Sequence, residues 1–197
     1  MEVLLKLSGA IDRLNQKVSV FADWLVLLSA LISAGNAFSR YSFSLSSNAW
    51  LEIQWYMFGA MILLGASYTL KKNEHVRVDL LYSSVSERTR IWIDILGCLF
   101  FLLPIAWIVM TLGWHMFEAS YASGEMSNDP GGLIRWPVKL MVPGGFVLLI
   151  AQAASEIIKR VAFLAGVIGD PTPRHTLDDT SELEAAIQSH TASVDKP

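Results

Sequence analysis

Residues 50–82 read WLEIQWYMFGAMILLGASYTLKKNEHVRVDLLY. From Trp50 to Leu70 the only charge is Glu52, near the start, and then Lys71, Lys72, Glu74, Arg77 and Asp79 follow within nine positions. A helix needs about 20 apolar residues to cross about 30 Å of hydrocarbon. An apolar run of that length that ends abruptly in lysines reads as a helix leaving the bilayer at a charged surface.

Three further runs of the same kind flank this one, at 18–38, 91–114 and 137–158. Backbone polar groups in lipid must be paired within their own segment, so four runs predict four spanning helices. The composition agrees. Of 197 residues 53% are hydrophobic and 17% charged, against about 25% charged in soluble domains. The fold class expected is an all-α membrane protein.

Lysines and arginines set the orientation. Lys6, Arg13 and Lys17 precede the first run, Arg40 alone follows it, and Lys71, Lys72, Arg77, Arg88 and Arg90 follow the second. Arg135 lies before the fourth run, and Lys159, Arg160, Arg174 and Lys196 lie at or after its end. The alternation places both termini in the cytoplasm. The first run is too long for the apolar part of a signal peptide and is kept as a helix.

Three regions result. In residues 1–17, Val3, Leu4, Leu7, Ile11 and Leu14 recur at helical spacing with charges opposite, which predicts an amphipathic helix lying on the inner leaflet. Residues 18–160 form the membrane domain. Residues 161–197 turn rich in Pro, Thr, Asp, Glu and Ser and read as a cytoplasmic tail without a core.

Local signals mark the boundaries. Ser47 or Asn48 caps the second helix, and Ser84 with Glu87 has the spacing of a capping box for the third. Pro104 sits inside the third helix and predicts a kink. Pro137 and Pro143 are read in the first turns of the fourth, where proline is tolerated. Asn128, Asp129, Pro130, Gly131 and Gly132 predict a chain reversal before it.

Ionisable residues inside membrane segments are functional candidates by default. Asp23, Glu52, Asp94 and Glu156 qualify, and each is placed near a helix end, which leaves no midplane site for an ion-coupled carrier working alone. Glu52 either pairs with Arg40 or is stabilised by the helix dipole. Asp94 either pairs with Arg90 one turn away or meets a neighbouring chain. Glu125 and Arg135 belong to an outer loop that is either solvated or receives a partner. His75 and His115 fall on opposite sides, so a shared haem is not expected, and neither a metal site nor any other cofactor is. The single cysteine, Cys98, lies in an apolar run and reads as a small hydrophobe. Ser29, Ser33 and Ala37, with Ala30 and Ala34, form rows of small residues that suit close helix packing, inside the chain or against a partner. No basic face points to nucleic acid.

Taken together, LEIQWYMFGAMILLGASYTLKKNEHVRVDLLY, RIWIDILGCLFFLLP and SYASGEMSNDPGGLIRWPVKLMVPGGFVLLIAQ resemble the small membrane (Q, DctQ-like) subunit of TRAP transporters, the tripartite ATP-independent periplasmic systems. The resemblance covers roughly residues 18–160. It implies a large membrane (M) subunit that carries substrate and sodium sites, and a periplasmic substrate-binding protein that delivers an organic anion, usually a carboxylate. It further implies that the small subunit is a stationary scaffold, not an enzyme, in the bacterial inner membrane, in contact with membrane lipids. His75, Arg77 and Asp79 carry its most specific motif; Arg77 and Asp79 are expected either to lock the inner surface, within the chain or to the large subunit, or to belong to a solvated polybasic loop. Two other functions remain open at this level: a haem- or quinone-binding anchor of a respiratory enzyme, and a small stand-alone carrier.

Overall fold

The computed structural model describes residues 1–45, 47–73 and 86–169. They form α1 (Glu2–Phe43), α2 (Asn48–Lys72), α3 (Glu87–Gly97), a π-helical turn (Cys98–Leu102), α4 (Leu103–Ser123) and α5 (Trp136–Leu164). No strand occurs among the described residues. An isolated bridge between Met126 and Ile134 pinches the loop before α5.

α1 departs most from expectation. Nothing separates residues 1–17 from the first apolar run: one helix of 42 residues carries both, about 63 Å at 1.5 Å per residue. Moreover, part of the first segment's polar set turns inward, although Lys6, Arg13 and Lys17 stay exposed. Ser8 and Asn15 are buried, while Val3 is 78% exposed and Leu4, Leu7 and Leu14 also face outward.

The helix ends follow local chemistry. Ser44 and Asn73 close α1 and α2 in the left-handed region (φ 55° and 64°), and Gly124 closes α4 (φ 62°). Ser47 stands at the start of α2, but its side chain makes no cap bond. Ser86 caps α3 through Thr89 N–H at 3.4 Å; Ser84, the expected cap, lies outside the described residues. Pro104 shows its effect one turn early. The chain widens at Cys98–Leu102, with Leu103 N–H reaching back to Cys98 O, so the proline ring avoids the carbonyl that it would strike in a regular helix. Pro137 is the second residue of α5, whereas Pro143 is inside the helix, buried and facing Gly113.

α1, the joined α3–α4 rod (Arg88–Ser123) and α5 are long and apolar enough to cross a membrane. α2, with 25 residues, has the length, but Gln54, Tyr56, Ser67, Tyr68 and Thr69 dilute its hydropathy below that of the other three. Hydropathy alone therefore supports three spans, not four.

α5 is the hub, packing on α1, α2 and α4, and more lightly on α3. α1 and α2 pair as a hairpin, and α4 rests on α5 without substantial contact to either. The contacts are made by small residues. A Cβ on Gly145 would come within 2.6 Å of Leu63 O, so α2 and α5 approach backbone to backbone there. One on Gly113 would meet Val142 Cγ1 at 2.9 Å. The buried apolar set is correspondingly small, with Ala22, Ala60, Ala106, Ala153 and Ala162 prominent, whereas Phe101, Trp107, Ile108 and Leu112 point outward. In hydrocarbon that is a stable arrangement, because lipid tails are as apolar as leucine and close packing supplies the attraction.

Candidate functional site

Charge collects at the two ends of this bundle. At the end holding the N terminus, one face of α5 presents Gln152, Ser155, Glu156, Lys159 and Arg160, spaced as neighbours on a helix. They meet Ser8, Asp12 and Asn15 of α1, which share a face for the same reason. Ser8 and Ser155 hydroxyls lie 2.7 Å apart. Asn15 Nδ2 donates to Gln152 Oε1 at 2.6 Å, and Gln152 Nε2 donates to Asp12 at 2.9 Å and Glu156 at 3.0 Å. Lys159 bridges Asp12 at 3.1 Å and also bonds Glu156. Arg160 forks between Glu156 at 2.7 Å and Asp94 of α3 at 3.2 Å. From α2, Lys71 Nζ donates to Asp12 O and Gln16 Oε1, each at 3.4 Å. One network thus ties α1, α2, α3 and α5 together.

At the opposite end, α2 grips the loop 125–135 with three side chains four residues apart. Asn48 Nδ2 donates to Pro130 O at 3.0 Å, and Tyr56 OH donates to Ile134 O at 3.2 Å. Between them Glu52 accepts from Leu133 N–H at 2.6 Å and from the Ser127 hydroxyl. The loop closes on itself through Ser127 N–H to Leu133 O and Arg135 N–H to Glu125 O, both 2.9 Å. Gly132 has no room for a side chain: a Cβ there would lie 2.5 Å from Ser127 Cβ and 2.8 Å from Glu52 Oε1. Replacing Glu52 with alanine is expected to free this loop, accelerating hydrogen exchange of the Ser127 and Leu133 amides while leaving the amides of α5 beyond Lys139 unchanged.

Glu125 forms the second anchor. Lys139 bonds its carboxylate, and Arg135 Nη1 lies 3.9 Å away. The Lys139 hydrogen bond comes first among the causes that hold the Glu125 carboxyl below the ordinary glutamate range, against a partial desolvation that raises it. The folded-state value being depressed, the anchor's stabilisation is complete above the ordinary value and is lost only as pH falls through the lower one. An acid titration of loop-amide exchange should therefore show protection persisting below the ordinary glutamate midpoint.

The two ends are a membrane's thickness apart. Glu52 to Lys71 along α2 is about 28 Å and Lys139 to Glu156 along α5 about 26 Å, beside about 30 Å of hydrocarbon. Between those levels α2 and α5 carry no charged residue.

The residues singled out from the sequence fall as follows. Arg40 does not pair with Glu52; its guanidinium lies over the Tyr41 ring, 5.3 Å from the centroid. Asp94 meets Arg160 of its own chain. Glu125 and Arg135 come together, with Lys139 as the closer cation. His75, Arg77 and Asp79 lie outside the described residues. Asp23 is not near a helix end, because α1 runs from Glu2 to Phe43 and the residue lies mid-helix. Asp12, Asn15, Gln152, Lys159 and Arg160 were missed, although their helical spacing was visible.

Several concavities among the described residues lie between neighbouring helices. A cleft of about 340 Å³ separates the end of α1 from the start of α2, beside Asn36 and Trp50. An apolar groove of about 400 Å³ runs between α4 and α5, past Met110, Leu140 and Val147. A third, of about 230 Å³, opens beside Glu52, Tyr56 and Lys139. His115, on the flank of the groove, lies 3.6 Å from Glu118 and is largely exposed. Among the described residues no three His, Cys, Asp or Glu side chains gather as a metal site.

Against known families, residues 29–163 match the model described as "Tripartite ATP-independent periplasmic transporters, DctQ component". The chain belongs to the DctQ family. The match starts within α1 and ends one residue before the end of α5, so it takes in α2 to α5 and the gripped loop but leaves out Ser8, Asp12 and Asn15 of α1. No curated protein and no solved structure gives a match. This DctQ protein is therefore a membrane component of a TRAP transporter, which is a transport family and not an enzyme family.

Proposed function

We propose that this DctQ chain is the fixed scaffold of its transporter. It spans the bacterial inner membrane four times with both termini inside, holds the large membrane subunit, and helps form the outer surface that receives the binding protein. The transported solute is an organic anion, a carboxylate, driven by sodium and carried through the large subunit. One observation above all supports this reading: clusters of charged side chains tie the chain's own helices together at two levels about a bilayer apart. The spacing of those levels along α2 is the argument for a fourth span where hydropathy falls short. At the outer level the gripped loop 125–135 is a rigid docking platform. The same reading assigns Arg77 and Asp79, which lie outside the described residues, to a lock within the chain or to the large subunit. Proteoliposomes holding the large subunit, the binding protein and a sodium gradient are expected to accumulate the anion only when this chain is present. Uptake without it, or uptake by this chain alone, would contradict the proposal.

A further inference from the structure

One acid belongs to neither polar level. Asp23 is exposed on α1 and has no hydrogen bond or ion pair among the described residues. Its depth follows from its neighbours. α1 and α5 run antiparallel, with Asn15 against Gln152. Two turns above Asn15, Asp23 is about 12 Å further into the apolar band. That is level with Gly145, which touches Leu63 of α2, and Glu52 lies about 16 Å above Leu63. A lysine at this depth can reach a membrane surface along its stem, but an aspartate is too short to do so. Carboxylates in hydrocarbon face a bundle interior or a partner. This one faces away from its own bundle.

Its surroundings suit a helix. Val20, Asp23, Leu27, Ala30, Ala34 and Ala37 follow each other at alternating steps of three and four, and all six are exposed. Ser19, Ala22, Leu25 and Ser29 form the buried side. The row of small residues predicted from the sequence is thus divided: Ser29 packs inside, and Ala30, Ala34 and Ala37 lie open. Alanines spaced this way let a second helix approach closely.

We infer that the Asp23 face of α1 is where the large subunit docks, through a transmembrane helix that lies along Ala30 and Ala34 and presents a basic side chain to Asp23. A cation supplies the missing countercharge, and a closely packed helix removes the carboxylate from lipid. This rests on the scaffold reading above and names the residues that would carry it. Because Asp23 is exposed and has no hydrogen bond or ion pair among the described residues, its loss should spare the isolated subunit, which makes the test clean.

The test is detergent co-purification of the affinity-tagged full chain expressed with its large subunit, followed by photo-crosslinking from position 27. The unsubstituted chain is expected to carry the large subunit and to crosslink to it. Asp23→Leu should retain tenfold less or lower, Asp23→Asn should be intermediate, and the amount of tagged chain itself should be unchanged. Leu112→Trp, on the outer side of α4, should retain the partner fully. If Asp23→Leu retains as much as the unsubstituted chain, or position 27 crosslinks only to lipid or to a second copy, the inference is wrong while the scaffold reading stands. If the unsubstituted chain carries no large subunit, both fail.

Discussion

Replacing Arg160 with alanine is expected to destabilise the chain by about 3–5 kcal/mol, the usual cost of removing one member of a buried ion pair. Its side chain is 5% exposed, and the carboxylates that it joins, Glu156 and Asp94, are 6% and 9% exposed. Without the guanidinium, Asp94 loses its tie to α5 and Glu156 retains Lys159 and Gln152. α3 has few other contacts with α5, so it should detach first, seen as faster exchange of its amides and a lower Tm in detergent. Arg160→Lys keeps the charge but not the fork that reaches both acids, and should recover only part of the loss. Arg160→Met combined with Asp94→Leu removes a pair rather than orphaning one partner. It should be milder than Arg160→Ala, because exchanging a buried ion pair for apolar side chains of similar volume is often neutral.

Gly145→Val should be nearly as damaging, for a steric reason. The obstacle at 2.6–2.9 Å is Leu63, including its carbonyl O and C, and backbone within a helix cannot swing aside as a side-chain tip can. α2 and α5 must separate. Overpacking typically costs about 1–3 kcal/mol, and the upper end is expected here because separation also pulls Glu52 away from Leu133 and Ser127. Adjacent positions supply the control. A Cβ on Gly144 meets nothing within 4 Å, and one on Gly59 meets only Val138 Cγ2 at 3.8 Å, so Gly144→Ala and Gly59→Ala should leave the Tm within a degree or two of the parent. Thermal unfolding of the purified variants separates the cases.

These two sites show what the sequence made legible and what it did not. Apolar runs report depth, and on depth the reading of 91–114 and 137–158 as membrane segments agrees with the helices α3–α4 and α5. They do not report which side of a helix faces inward, since the surrounding lipid is as apolar as a core. Residues 1–17 illustrate the ambiguity. A helix with one polar and one apolar side lies on a membrane if water takes the polar side, and packs inside out if another polar helix takes it. Gln152, Ser155, Glu156 and Lys159 on α5 are that second helix, 140 residues away in sequence, and only the fold brings them to Ser8, Asp12 and Asn15. Asp23 was read near a helix end for a related reason: that reading depends on where α1 begins, and no glycine or proline marks a boundary at Lys17. The reversal at Asn128–Gly132 was readable from turn chemistry, whereas its grip by Asn48, Glu52 and Tyr56 needed the register of α2 against α5. The family motif at His75, Arg77 and Asp79 was the most specific sequence signal, and it lies outside the described residues.

Four membrane crossings, with the two charged levels at the two bilayer surfaces, are the claim on which the rest depends. Cysteine labelling tests it most directly. In a Cys98→Ser background, Glu2→Cys, Leu45→Cys, Asn128→Cys and Val167→Cys are exposed to a membrane-impermeant maleimide on spheroplasts before and after lysis. Leu45→Cys and Asn128→Cys should react on intact spheroplasts, and Glu2→Cys and Val167→Cys only after lysis. If Val167→Cys reacts before lysis and Asn128→Cys only after it, α2 does not cross the membrane, and the account is contradicted.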